Sequence, residues 1–139
     1  MIQLIVGEKG KGKTKVLLEK ANAEIKKAHG SIVYLDKSTK HMYEVNNRVR
    51  LIDVSAFDLR DSDEFIGFIY GVISQDHDLE QMYLDSFMKI SFTNEDTANV
   101  LLERINKISE KYKITFVISI SLTAAQIAEN FRENIIAEL

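Results

Sequence analysis

The 139-residue sequence contains no cysteine and no proline. Without cysteine the chain cannot form a disulfide, bind zinc through thiolates or use a cysteine nucleophile, and it suits a reducing compartment. Its longest apolar runs are far shorter than the roughly 18 residues that a membrane span requires. The absence of proline is unusual but indicates no function by itself. Cysteine-ligated zinc sites are therefore excluded, and no segment predicts a membrane span.

The length of the chain fits one domain with a core of its own. An apolar run begins at Ile2, so the sequence offers no charged region and apolar region of the kind that precedes a signal cleavage site. We therefore expect a cytoplasmic protein in which residues 1–139 form a single minimal domain.

Charge is unevenly distributed along the chain. The net charge is −3, but residues 1–50 carry a balance of +6 and residues 51–139 a balance of −9. The basic half favours association with a polyphosphate. A nucleic-acid partner is not favoured, because the chain is acidic overall and its basic residues are not interleaved with aromatic ones.

The segment from Gly7 to Thr14 reads GEKGKGKT, which matches the phosphate-binding loop pattern G-x-x-x-x-G-K-[ST]. Its glycines allow successive backbone N–H groups to curl round an anion, Lys13 reaches the β- and γ-phosphates, and Thr14 places a hydroxyl on Mg²⁺. The residues that we expect to surround the nucleotide are Gly7, Glu8, Lys9, Gly10, Lys11, Gly12, Lys13, Thr14 and Lys15. The alternative is that Lys9, Lys11 and Lys15 are simply solvated loop lysines.

Strands and helices are predicted to alternate. Apolar and β-branched segments predict strands at residues 2–6, 31–36, 49–54, 79–85 and 114–120. Helical spacing predicts helices at residues 13–28, 61–73 and 95–111, and a last helix that is capped by Thr123 and includes Ile135. Because crossovers between parallel strands carry helices onto the sheet faces, the order predicts a three-layer α/β fold with a mostly parallel, five-stranded sheet. The charged Arg50 and Asp53 predict that strand 49–54 lies at an edge.

A loop of this type needs an acid to hold the metal, usually an aspartate at the end of an apolar strand. Asp85 follows the run Met82, Tyr83 and Leu84, so it should emerge at the carboxyl edge of the sheet, where α/β proteins bind ligands. We predict that Thr14 and Asp85 hold Mg²⁺, directly or through water. Asp53 is the alternative acid.

The order of residues 7–14, 84–87 and 117–121 resembles the RecA-like branch of P-loop ATPases. The resemblance implies ATP and Mg²⁺ as ligands, a strand between the loop strand and the Asp85 strand that residues 114–120 would supply, and a γ-phosphate sensor at Ser119 or Ser121. The chain is also similar to small bacterial ATP-binding proteins, some of them labelled after twitching-motility ATPases.

The sequence departs from that family at the water-activating acid. RecA-like ATPases usually place a glutamate near the end of the second strand, where this chain has Asp36, which is one methylene shorter. Position 86, which is glutamate in other P-loop ATPases, is Ser86. The candidate catalytic residues are thus Lys13, Asp36 and Ser119, and the alternative for Asp36 is a structural residue of a turn.

Three functions are consistent with these residues. The first is a slow Mg²⁺-dependent ATPase, and the second is a nucleotide-dependent sensor or adaptor that does not hydrolyse ATP. A small-molecule kinase is the third, although no arginine-rich lid insertion is visible. An arginine finger would have to come from the arginines at positions 48, 50, 60, 104 and 132.

An apolar cluster, Phe87, Met88, Ile90 and Phe92, follows the predicted metal-binding aspartate. We expect it to pack on the core, and the alternative is a surface for self-association or for a protein partner.

Overall fold

The computed structural model describes residues 1–139 as one sheet with helices on both faces. The strands are β1 (Ile2–Val6), β2 (Ser31–Asp36), β3 (Arg50–Asp53), β4 (Leu79–Leu84), β5 (Thr115–Ile120) and β6 (Ile135–Glu138). The α-helices are α1 (Lys13–Glu24), α2 (Ser62–Ser74), α3 (Phe87–Ile90) and α4 (Ala98–Tyr112). Short 3₁₀ helices lie at Val54–Phe57, Ala124–Gln126 and Glu129–Asn134.

The sheet has the order β3-β2-β4-β5-β1-β6, and all of its strand pairs are parallel. β5 lies between β1 and β4, as expected for a run of apolar residues that is covered on both faces. β3 lies at one edge, in agreement with its charged residues. These features confirm the predicted strand order at the centre of the sheet.

The sheet has six strands, so the prediction of five was wrong. The predicted last helix is also wrong, because the segment from Thr123 forms 3₁₀ turns and then β6. The side chain of Gln126 does accept a hydrogen bond from the Thr123 N–H at 2.9 Å, but the helix that this cap predicted does not continue. β6 instead pairs with the edge of β1 that β5 leaves free. The backbone groups of β6 find their hydrogen-bond partners in β1, and this tertiary contact outweighs the local preference for a helix.

Two apolar clusters pack on opposite faces of the sheet. The larger contains residues of α2 and α4, with Phe65 and Ile105 fully buried. The smaller contains Leu17 and Ala21 of α1 against Tyr34 and Val117 of the sheet. α1 therefore covers one face, while α2 and α4 cover the other, which confirms the predicted layers. None of the α-helices has both the length and the apolar composition that a membrane-spanning helix needs.

Members of the Phe87–Phe92 cluster have different environments. Phe87 and Ile90 belong to the larger apolar cluster and are buried, as expected for core packing. Phe92 is 46% exposed. Core packing therefore accounts for Phe87 and Ile90 but not for Phe92.

Candidate functional site

The loop between β1 and α1 is fixed where it leaves β1, at Gly7. Gly7 donates a backbone hydrogen bond to the carbonyl oxygen of Leu122 at 2.8 Å, and a Cβ at Gly7 would lie only 2.8 Å from the carbonyl oxygen of Leu139. Gly10 and Gly12 have φ angles of 85° and 88°, which favour glycine. Gly12 is the N-cap of α1 and has no side chain to bond the first turn. The N–H groups of that turn are therefore available to an anion.

The side chain of Lys13 folds back into the loop and bonds its backbone. Its ammonium donates to the carbonyl oxygens of Gly7 at 2.8 Å and Glu8 at 2.9 Å, and the residue is only 9% exposed. Burial lowers the pKa of Lys13, and the negative charge of Asp85 opposes that change. The side-chain nitrogen of Lys13 lies inside the loop, where a phosphate chain would bind.

Asp85 is the centre of a hydrogen-bond network at the carboxyl edge of the sheet. Its Oδ1 accepts bonds from the hydroxyls of Thr14 at 3.1 Å and Ser119 at 2.8 Å, and from the N–H of Ser86 at 2.8 Å. Its Oδ2 accepts a bond from the hydroxyl of Tyr34 at 2.7 Å. The residue is 1% exposed, so these donors compensate a buried carboxylate.

The sequence analysis missed Tyr34 as part of this network. Its ring is buried and stacks on Tyr83, with centroids 6.0 Å apart and an interplanar angle of 10°. Burial and the charge of Asp85 raise the pKa of Tyr34, so its hydroxyl remains a donor. The available signal was a tyrosine inside an apolar strand, since a buried hydroxyl usually finds a partner.

Tyr34→Phe is expected to destabilise the protein by about 1–3 kcal/mol, because the buried Asp85 carboxylate loses the donor on its Oδ2. Urea unfolding measures the change. Tyr83→Phe is the matched control, because the hydroxyl of Tyr83 bonds only the neutral Gln81 side chain, at 2.7 Å. Equal losses in the two variants would contradict a special role for the Tyr34 hydroxyl.

Asp36 lies at the end of β2 and is 1% exposed. Its Oδ1 accepts the N–H of Lys37 at 2.7 Å, but its Oδ2 is buried and has no hydrogen-bond partner. Burial, and after it the charge of Asp85, raise the pKa of Asp36. A buried carboxylate oxygen without a donor is unusual in a folded protein, and this oxygen can still accept a hydrogen bond from a water or a ligand.

The alternative metal-binding acid, Asp53, has a different environment. Its Oδ1 accepts bonds from the N–H of Ser55 at 3.0 Å and the hydroxyl of Ser55 at 2.6 Å, and it caps the 3₁₀ helix after β3. β2 separates β3 from β4, so Asp53 lies farther along the edge than Asp85. The structure therefore brings Asp85, and not Asp53, to the loop.

A cavity of about 470 Å³ lies over these groups, and we call it the phosphate cavity. The residues that line it are Lys9, Gly10, Gly12, Lys13, Thr14, Lys37, Asp85, Ser86, Met88, Lys89, Ser119 and Ser121. Lys11, Lys15 and Asp36 are among the predicted site residues that do not line it, as are Gly7 and Glu8.

Lys37, Met88 and Lys89 line the phosphate cavity although the sequence analysis assigned them no part in the site. Lys37 directly follows Asp36 and Lys89 belongs to α3, so position after a strand end was the available signal. No arginine lines the cavity. The cationic side chains that line the cavity are therefore all lysines.

The oxygens of Thr14 and Asp85 suit Mg²⁺, which prefers oxygen ligands and usually keeps several waters and substrate phosphates. No group of three or more His, Asp or Glu side chains is arranged to hold a metal ion. A magnesium ion here would thus depend on Thr14, Asp85, water and the phosphates themselves, which fits the chemistry of these donors.

Comparison with known proteins gives information at the level of the fold. No protein-family model matches the chain, and no curated protein matches it in sequence. A solved structure of a KaiC-like protein from the hyperthermophilic archaeon Pyrococcus horikoshii OT3 matches with a TM-score of 0.60 and 18% sequence identity. The fold is RecA-like. The match covers 85% of this chain and 59% of the KaiC-like protein, so the chain spans a little more than half of that neighbour.

This result confirms the RecA-like fold that the motif order predicted and gives no support to the twitching-motility label. At 18% sequence identity, the match shows that the two proteins share a fold but does not show that they share an activity. The functional argument therefore depends on the residues of this chain.

Proposed function

We propose that the protein binds ATP with Mg²⁺ and hydrolyses it slowly, and that residues 1–139 act as a single minimal nucleotide-binding domain. One observation carries the proposal. The ammonium of Lys13, the hydroxyls of Thr14 and Ser119 and the carboxylate of Asp85 meet at one cavity beside a glycine-rich loop. These are the groups that a polyphosphate and its metal require.

Each residue has a specific task in this proposal. Lys13 and the N–H groups of the loop bind the phosphates, and Thr14 and Asp85 hold Mg²⁺. Mg²⁺, when bound, neutralises charge on the phosphate oxygens. Ser119, whose hydroxyl now bonds Asp85, contacts the γ-phosphate, and the free Oδ2 of Asp36 orients the attacking water. In hydrolysis the water oxygen bonds the γ-phosphorus, the bond to the β–γ bridging oxygen breaks, and Asp36 accepts a proton from the water.

The alternative is a nucleotide-dependent sensor that binds ATP without turnover. It is favoured by the position of Asp36, which is buried and does not line the phosphate cavity. Measurement of phosphate release from ATP, with Mg²⁺ or with a chelator, separates the two functions. Turnover that requires Mg²⁺ supports the ATPase, whereas tight ATP binding without turnover supports the sensor.

Asp36→Asn is expected to lower the rate of phosphate release about 100-fold while ATP affinity stays within about twofold, because the amide cannot accept the proton from water. Single-turnover phosphate release and calorimetry measure the two quantities.

Burial and the charge of Asp85 raise the pKa of Asp36. As the pH is lowered, phosphate release by the wild type should therefore decline at a higher pH than it would if the base were an exposed aspartate.

Asp36→Glu is the matched control, since it keeps the carboxylate and restores the length usual in the family. It should retain the acid limb of the pH profile that Asp36→Asn loses. An unchanged rate and pH profile in Asp36→Asn would contradict the assigned role of Asp36.

A further inference from the structure

A second cavity, of about 490 Å³, adjoins the phosphate cavity. Two residues, Lys37 and Lys89, line both cavities. The other residues that line the second cavity are Val54, Ser55, Asp58, Leu59, Ile90 and Phe92. Its volume lies within the range of about 300–1,000 Å³ that is usual for small-molecule sites. None of those six residues has a task in the proposed nucleotide site.

The second cavity lies beyond Asp85 as seen from the phosphate-binding loop. The loop follows β1, whereas Lys37 follows β2 and Val54 follows β3, and the sheet order places β4 with its Asp85 between them. A nucleotide that runs from the loop towards Asp85 would therefore point its last phosphate towards the second cavity. This step rests on the proposed function.

The lining of the second cavity divides into an apolar part and a charged part. Its apolar side chains are those of Val54, Leu59, Ile90 and Phe92. Its charged part has two lysines and one carboxylate, Asp58. Neither lysine forms an ion pair, since the ion pairs of the chain involve other residues. The surplus of unpaired positive charge complements an anion, and the apolar side chains complement an apolar body.

The backbone around the two cavities is strained. Asp58 and Phe92 line the second cavity with φ angles of 56° and 58°, and Ser86 lines the phosphate cavity with φ of 52°. They are three of the four non-glycine residues with positive φ in the chain. Such a conformation is especially unusual for a bulky residue, and Phe92 also leaves 46% of its surface exposed. Strained residues concentrate at functional sites.

We infer that the second cavity binds a small organic anion with an apolar body, such as an aromatic carboxylate or sulfonate. The anionic group lies against Lys37 and Lys89, and the body packs on Leu59 and Phe92. Because the same two lysines line the phosphate cavity and would face the terminal phosphate of a bound nucleotide, the anion and the γ-phosphate compete for them. ATP with Mg²⁺ therefore weakens binding of the anion, while ADP, which lacks the γ-phosphate, does not, and the coupling is reciprocal.

The test uses the aromatic sulfonate 8-anilinonaphthalene-1-sulfonate as the probe, with its fluorescence titrated against the full chain. Phe92→Asn removes the ring, and asparagine tolerates the positive φ, so this variant should fold at least as well as the wild type. Lys89→Gln removes a shared positive charge. Tyr43→Asn is the matched control, because Tyr43 is 92% exposed and lines neither cavity.

We expect the wild type to bind the probe saturably. Probe affinity should fall at least about fivefold in Phe92→Asn, which loses an apolar contact, and in Lys89→Gln, which loses a charge. In Tyr43→Asn it should stay within about twofold of the wild type. Equal affinity in all four proteins, or no saturable binding, would overturn the site. Thermal unfolding checks that the variants remain folded.

A second measurement repeats the probe titration at saturating Mg²⁺ and non-hydrolysable ATP analogue, and again at saturating ADP. We expect the analogue with Mg²⁺ to weaken probe binding about fivefold and ADP to leave it unchanged. Calorimetry separately measures binding of the analogue. If the analogue binds and probe affinity is unchanged, the competition is wrong. If the analogue does not bind, the proposed nucleotide function fails, and the Phe92→Asn comparison still decides whether the second cavity is a site.

Discussion

Lys13→Ala is expected to weaken binding of Mg²⁺ and a non-hydrolysable ATP analogue about 1,000-fold. The ammonium of Lys13 now bonds the carbonyl oxygens of Gly7 and Glu8, and it would exchange them for phosphate oxygens. Two charge-assisted hydrogen bonds contribute about 1.5–3 kcal/mol each, and a loss of about 4 kcal/mol corresponds to about 1,000-fold in affinity. Isothermal titration calorimetry measures the change.

Lys26→Ala is the matched control, because Lys26 is exposed and belongs to neither cavity. Its affinity should remain within about twofold of the wild type, since an exposed charge that contacts no ligand contributes little. Stability must be compared as well, because Lys13 also joins the two carbonyls of the loop. Affinity in Lys13→Ala close to that in Lys26→Ala, with both proteins folded, would contradict phosphate binding by the loop.

The central position of β5 could be predicted from the sequence, because its segment is nearly all apolar and β-branched. Such runs can only lie where both faces are covered, which correctly placed β5 at the centre. The edge of the sheet was predicted in part. Arg50 and Asp53 identified β3 as an edge strand, but nothing in the spacing of residues identified β6.

β6 was missed because its segment imitates a helix. Ile127, Phe131 and Ile135 recur at intervals of four, which suits one helical face. In the structure Ile127 and Phe131 reach the core through 3₁₀ turns, and Ile135 pairs with Leu4 of β1. The free edge of β1 lies more than a hundred residues away in sequence, and local periodicity carries no information about such a partner.

The candidate site was also predicted only in part. The loop motif and the aspartate at a strand end identified Lys13, Thr14 and Asp85, which line one cavity in the structure. Lys37 and Lys89 were missed because an exposed lysine after a strand resembles any solvated lysine. In the structure both lysines line the phosphate cavity, Lys37 from the end of β2 and Lys89 from α3, and local sequence spacing does not show that these two positions meet.

Asp85→Asn is expected to reduce Mg²⁺-dependent phosphate release about 1,000-fold, because a metal that is no longer held by a carboxylate loses several kcal/mol of charge stabilisation. The fold should survive. The amide oxygen can still accept bonds from Thr14, Ser119 and Ser86, and the amide nitrogen can face Tyr34, whose hydroxyl can reverse and accept. The change thus removes the charge and keeps the shape.

Asp53→Asn is the matched control, since Asp53 is the alternative acid and caps a 3₁₀ helix outside the phosphate cavity. Magnesium titrations of phosphate release, or of analogue binding if turnover is absent, compare the two variants. Asp85→Asn should need about 10–100-fold more Mg²⁺ for half-maximal effect, and Asp53→Asn should titrate like the wild type. The opposite ranking would assign the metal to Asp53 and would require the nucleotide to extend to β3, past Lys37 and into the second cavity.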